Sequence, residues 1–163
     1  MSDGATVTLL HALKHAQAGH WPVARAVGSV TLAFDQRFRR RLRLELDEGG
    51  VILLDLPRAV ALADGDGLEL DTGDWIAVKA AHEPLVEVSA GDHDHLMRIA
   101  WHLGNRHLPT EIGPGWLRIR PDHVIEAMIV GLGGTVRHVE APFQPEGGAY
   151  GGRGHAHQGH HHD

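Results

Sequence analysis

Fifteen of the 163 residues are histidine and none is cysteine. Transition-metal chemistry in this chain is therefore imidazole and carboxylate chemistry, which suits nickel, zinc and copper. Imidazole ligates in its neutral form and has an unperturbed pKa of roughly 6.5, so mild acidification should weaken metal binding. The histidines fall into groups. Five close the chain: His155, His157, His160, His161 and His162. His102 and His107 stand in Trp101-His102-Leu103-Gly104-Asn105-Arg106-His107, and His123 follows sixteen residues later in Asp122-His123-Val124. His93 and His95 alternate with Asp92 and Asp94, while His11 and His15 are four apart near the N-terminus.

Residues 146–163 hold six glycines and five histidines. That composition cannot bury a core, so the stretch reads as a flexible, disordered histidine-rich tail. Its histidines are interrupted by Ala156, Gln158 and Gly159 and followed by Asp163, unlike an appended purification tag. Such a tail can supply ligands without a preformed cage, but ordering it opposes binding, and alone it should hold metal loosely. A fixed anchor within its reach would raise affinity through effective concentration. His107 is the candidate anchor. Leu96, Ile99, Ala100 and Leu103 recur at helical spacing, predicting a helix from Asp92 to about His107 with His107 continuing the apolar stripe. A histidine there is either buried and hydrogen-bonded or at an interface. One fixed imidazole per chain is too few for a metal site, but a two-fold dimer would pair His107 with its own copy.

Other elements must position these groups. Residues 26–79 carry strand patterning. Arg39, Arg41, Arg43 and Glu45 alternate with Leu42, Leu44 and Leu46 up to a turn at 47–50, and Val51 to Leu56 return before Pro57 breaks the strand. Short strands follow at 68–70 and 75–79. Residues 1–20 read as a loosely ordered arm, although His11 and His15 would share a helix face. Past a boundary near Pro84, strands at 85–88, 108–112, 116–120 and 135–140 alternate with helices. The second helix starts with Pro121 at its first position and carries a stripe of Ile125, Met128, Ile129 and Leu132. The fold class is α+β: an all-β domain over 1–83, a ferredoxin-like βαββαβ domain over 84–143, and the tail over 144–163.

Several functions are disfavoured. There is no HExxH, no nucleophile motif and no phosphate-cradling glycine loop, so an enzyme is not expected. The net charge of −6 argues against a nucleic-acid partner. The arginines at 37, 39, 40, 41 and 43 read instead as a solvated strand face, or one meeting an acidic protein. No apolar run is long enough to span a membrane and no leader pattern is visible, so a cytoplasmic protein is expected. The cluster Asp92-His93-Asp94-His95 reads as a capped, solvated helix start, since adjacent residues fan around a helix.

HLGNRH at 102–107, DHV at 122–124 and APFQPEGGAYG at 141–151 closely resemble the UreE family of urease accessory proteins. So do the upstream Asp35-Gln36-Arg37-Phe38-Arg39-Arg40-Arg41 and Leu56-Pro57-Arg58, and the likeness covers roughly 27–163. It implies a nickel metallochaperone acting in urease assembly, with zinc or copper able to take the metal's place. It implies that His107 ligates nickel at a homodimer interface and that tail histidines complete the coordination. It implies that the partner is the urease accessory GTPase UreG and, through it, the urease apoprotein complex. It also implies a protein- or peptide-binding role for the β domain. His123 matches a family histidine linked to auxiliary metal binding, but Pro121 stands where the family often has a second one. His102 lies at the stripe's edge and reads as structural, with an auxiliary metal role as its alternative. A histidine-rich metal buffer and a β adaptor domain are the competing functions.

Overall fold

The computed structural model describes residues 9–147. The chain divides into two compact units between Pro84 and Leu85, and residues 140–144 return to the first unit. That return differs from the expectation that the second domain keeps everything to residue 143.

The first unit is a six-stranded sheet with order β2-β6-β5-β1-β4-β3. Its strands are β1 (Leu10–Ala16), β2 (Ala26–Leu32), β3 (Phe38–Glu45), β4 (Val51–Ala61), β5 (Gly67–Leu70) and β6 (Trp75–Ala80). Leu10–Ala16, within the stretch 1–20 expected to be an arm, is therefore an interior strand. β1 pairs parallel with β4 and antiparallel with β5, so its backbone is satisfied on both edges. His11 and His15 lie on that strand, not on a helix face. β4 does not stop at Pro57. The register between β3 and β4 slips between Arg39 and Arg41, and the proline is accommodated at this irregularity. The alternation of β3 and β4 feeds Leu44, Ile52, Leu54 and Leu56 into one core with Val30, Leu68, Ile76 and Val78.

Three arrangements close this unit. Asp66, 1% exposed, accepts hydrogen bonds from the His15 ring (2.7 Å), Ala18 N (3.0 Å) and Ala63 N (2.9 Å). Arg37 is buried rather than solvated, and its guanidinium donates to the carbonyl of Phe143. Phe143 is itself fully buried, edge-on to Phe34. Gly67 is a glycine because Trp21 lies across it: a Cβ would meet the indole at 2.4 Å. That indole stacks on Trp75 at 5.5 Å.

The second unit has two helices, α1 (His93–Asn105) and α2 (His123–Gly131), and strands β7 (His82–Ser89), β8 (Glu111–Gly113), β9 (Trp116–Ile119) and β10 (Thr135–Pro142). The element order is βαββαβ and the sheet order β10-β7-β9-β8. Leu96, Ile99 and Leu103 of α1 and Ile125 and Ile129 of α2 are buried together with Val86, Val88, Leu117 and Ile119. Asp92 caps α1 by accepting from His95 N at 2.7 Å, so the acidic and imidazole cluster there is a helix start. Asp122 caps α2 through Val124 N and Ile125 N, which moves Pro121 from the expected first helical position to just outside the helix.

Glu87 on β7 receives both Arg118 (3.0 and 3.1 Å) and Arg137 (2.6 Å). Burial pushes its carboxyl pKa up, but the two guanidinium groups outweigh this and hold it below the ordinary glutamate value. A carboxylate depressed in the folded state contributes stability above its unfolded pKa of about 4.3 and loses it as pH falls through the lower folded value. The urea midpoint should thus drop on acidification below about pH 4.3, and Glu87→Gln should flatten that slope. Equal slopes in the two proteins would rule out Glu87 as a source.

Candidate metal centre

α1 ends two residues earlier than its periodicity suggests, and His107 lies beyond it. Arg106 N donates to the Leu103 carbonyl and His107 N to the Gly104 carbonyl, both at 3.1 Å. His107 then turns left-handed, with φ of 55°, and is the only non-glycine with positive φ among the described residues. This is the usual way to terminate a helix, except that the position favours glycine or asparagine. The turn lifts His107 out of the apolar stripe, which stops at Leu103, and leaves its side chain exposed. The expectation of a histidine continuing the stripe is corrected accordingly. An imidazole placed there projects from the negative end of a 13-residue helix, where a cation is favoured. The adjoining Arg106 guanidinium is held against the Met128 sulfur on α2 at 3.1 Å.

The outer face of α1 carries two large apolar residues that the stripe does not use. Met97 is 57% exposed and Trp101 64% exposed, four residues apart and therefore neighbours on the helix surface. Sequence inspection overlooked them. Their signal was legible as apolar residues at helical spacing off the buried stripe, leading toward His107.

The other candidate ligands are dispersed. His102 is half-buried and edge-on to Trp101 at 5.1 Å between ring centroids, a packing role. His95 hydrogen-bonds the Leu132 carbonyl with its ring. His123 is exposed at the first position of α2. His138 pairs with Glu126 at 2.6 Å. His15 is committed to Asp66. Among the described residues no group of three or more histidine, aspartate or glutamate side chains could hold a metal ion. His155, His157, His160, His161 and His162 lie outside the described residues. An imidazole suits a borderline metal as one ligand of a set, and among the described residues no others are grouped with His107 to make one.

The fold defines a two-domain α+β protein in which His107 stands exposed just past the C-terminal end of α1. Comparison with known proteins gives the family. Residues 8–81 match the model of the UreE urease accessory protein N-terminal domain, and residues 83–163 match that of its C-terminal domain. The chain belongs to the UreE family, one of urease accessory proteins and not of enzymes. It is 59% identical over 132 residues to the urease accessory protein UreE of Bradyrhizobium sp. (strain ORS 278), a match covering 81% of this chain and 63% of that relative. The Agrobacterium fabrum (strain C58) protein of the same name is 54% identical over 136 residues, covering 83% of this chain and 82% of the relative. The Chelativorans sp. (strain BNC1) protein is 50% identical over 138 residues, covering 85% and 86%. The chain spans under two thirds of the length of the Bradyrhizobium relative. Among the described residues no helix is long and apolar enough to cross a membrane.

Proposed function

We propose that this chain is a nickel metallochaperone that binds its cargo at His107 on a homodimer interface and donates it during urease assembly. The observation that carries the reading is the exposed His107 turn at the end of α1, a helix that also exposes Met97 and Trp101. Nickel and urease come from the family; the physical support concerns the site. A solvent-facing tryptophan and methionine on the helix that ends at His107 make sense if a second copy covers them and brings a second imidazole to the axis. Two imidazoles are an incomplete set, open to the tail histidines 155, 157, 160, 161 and 162. An open ligand set suits release of cargo by exchange, which a closed four-ligand cage would resist. The second unit is the metal-binding and dimerisation domain in this reading, with a ferredoxin-like arrangement, and zinc and copper compete for the site. The β domain serves protein interaction, and the acceptor is reached through the accessory GTPase UreG. His123 and His102 are left with auxiliary and structural parts.

Calorimetric nickel titration of the full chain, with molar mass measured in parallel, tests this. The unaltered protein should give one tight event per dimer, and His107→Asn only weak binding. Trp101→Glu should yield monomers with the same weak binding, since burying an unpaired carboxylate opposes association. Should His107→Asn titrate like the parent, the tail alone would hold the metal and the protein would be a buffer. A dimeric Trp101→Glu with unchanged affinity would place the interface elsewhere.

A further inference from the structure

β3 is the last strand in the first unit's sheet, so among the described residues no strand pairs with its outer edge. The hairpin to β4 closes with Leu46 N donating to the Gly50 carbonyl. Antiparallel alternation from that bond, through the Leu44–Ile52 and Leu42–Leu54 pairs, turns the backbone N–H and carbonyl of Arg41 and Arg43 away from β4. At the hairpin end the edge is occupied, because Asp47 N donates to the Ser29 carbonyl on β2. The open length is residues 39–43. Arg39, Arg40, Arg41 and Arg43 are exposed there, as is Arg58 on β4. The same two strands hold only Glu45 and Asp55 in opposition, a surplus of three positive charges in a chain of formal net charge −6. The turn carboxylates Asp47 and Glu48 are engaged by Ser29 and Thr31. Arg41 pairs with Asp55 at 3.1 Å and Arg43 with Glu45 at 3.4 Å, but both guanidinium groups are largely exposed, so these pairs contribute little and can be exchanged.

We propose that the outer edge of β3 takes an acidic, extended segment of a partner protein as an added strand. The inference rests on the protein-interaction role given above to the β domain and names the surface and the chemistry of its ligand. An open edge offers main-chain hydrogen bonds to any extended chain, and charge selects among the candidates. Two copies of this edge would set arginine against arginine, so the charges that admit an acidic strand exclude a second copy of this chain. An added strand alternates its side chains between the two faces of the sheet. Those on the face of Arg41 and Arg43 are carboxylates, each able to take a bidentate guanidinium bond. Those on the other face lie beside the half-buried Leu42 and are apolar, extending the core cluster on which Leu42 packs. The ligand is therefore a segment of alternating acidic and apolar residues. A nucleic acid would use the charges but leave the outward backbone groups and Leu42 without a partner.

Fluorescence anisotropy of a labelled peptide alternating glutamate and valine, titrated with the full chain, tests this. The peptide should bind, a lysine and valine peptide should not, and added salt should weaken the complex. Arg39→Glu combined with Arg43→Glu should weaken it about tenfold, because two attractive contacts become repulsive. Arg43→Pro and Arg43→Ser lose the same charge, but only proline removes the outward N–H, and a sheet edge tolerates it. With urea midpoints showing both variants folded, Arg43→Pro should bind about threefold more weakly than Arg43→Ser. In the parent, the bound peptide should slow amide hydrogen exchange at Arg41 and Arg43. Equal affinity of the proline and serine variants would overturn strand addition. So would tighter binding of a single-stranded oligonucleotide, or slowed exchange confined to other strands. That last result would leave the protein-interaction reading standing at a different surface. Failure of that reading looks different, because acidic, basic and neutral peptides would then all fail to bind the parent.

Discussion

His107→Gly is expected to give a more stable protein that no longer binds nickel tightly. The left-handed backbone at His107, φ of 55°, is unfavourable for a residue with a Cβ by about 1–2 kcal/mol. Glycine removes that penalty but also makes the unfolded chain freer, so the net gain should be about 0.5–1 kcal/mol. For a domain of this size that is a rise of a few degrees in Tm. Loss of the imidazole acts in the opposite direction on function. Nickel affinity should fall on the order of 100-fold, equivalent to about 2.7 kcal/mol. Asparagine tolerates the same backbone, so His107→Asn should be nearly neutral in stability while losing the same affinity. Thermal melts of the metal-free proteins, paired with nickel titrations, separate the two effects. A lower Tm for His107→Gly would mean that the imidazole contributes packing, contrary to its exposure. A retained imidazole in an unfavourable backbone is what a functional residue looks like when stability alone would select another.

Asp66→Ala should be the most damaging single change in the first unit. Its Oδ2 accepts from the His15 ring and Ala63 N, and its Oδ1 from Ala18 N. Truncation leaves two backbone N–H groups and an imidazole without this acceptor in a site where Asp66 is 1% exposed. Each orphaned donor is worth about 1–3 kcal/mol, and loss of one partner from a buried charged cluster about 3–5 kcal/mol in total. Against a typical stability of about 5–15 kcal/mol, this brings the unit close to unfolding. Asp66→Asn should be intermediate. Its amide retains one oxygen but presents a donor to groups that themselves donate. His15→Ala, which leaves the carboxylate and both backbone donors paired, should do less harm. Urea denaturation gives the order Asp66→Ala, Asp66→Asn, His15→Ala from most to least destabilised. If His15→Ala matched Asp66→Ala, the ring would be the centre of the cluster and not the carboxylate.

Much of the architecture could be read from periodicity, and the failures have physical causes. The stripe of Leu96, Ile99 and Leu103 and the alternation through β3 and β4 are local signals, and they led to buried faces as expected. β1 was missed because Leu-His-Ala-Leu-Lys-His-Ala is built largely from helix formers. Only its neighbours β4 and β5, distant in sequence, make it a strand. The end of α1 was overrun because a histidine in a left-handed turn is rare, so extrapolating the stripe through Gly104 and Asn105 looked natural. Arg37 resembled its exposed neighbours on paper, yet it is buried against a carbonyl 106 residues away, which no local pattern announces. At the candidate site, His107 could be picked out, but its exposure and the exposed Met97 and Trp101 on the preceding helix could not.

That 106-residue reach between Arg37 and Phe143 also has a bearing on biosynthesis. The first unit lacks its fully buried Phe143 until the polypeptide of the second has been translated. A nascent β domain would expose the hydrophobic socket for that ring in the meantime, and closing so long a loop is slow compared with pairing adjacent strands. Maturation of the two halves is thus coupled in time by one aromatic side chain. A fragment ending at Pro84 would emerge from a ribosome with its last core position empty.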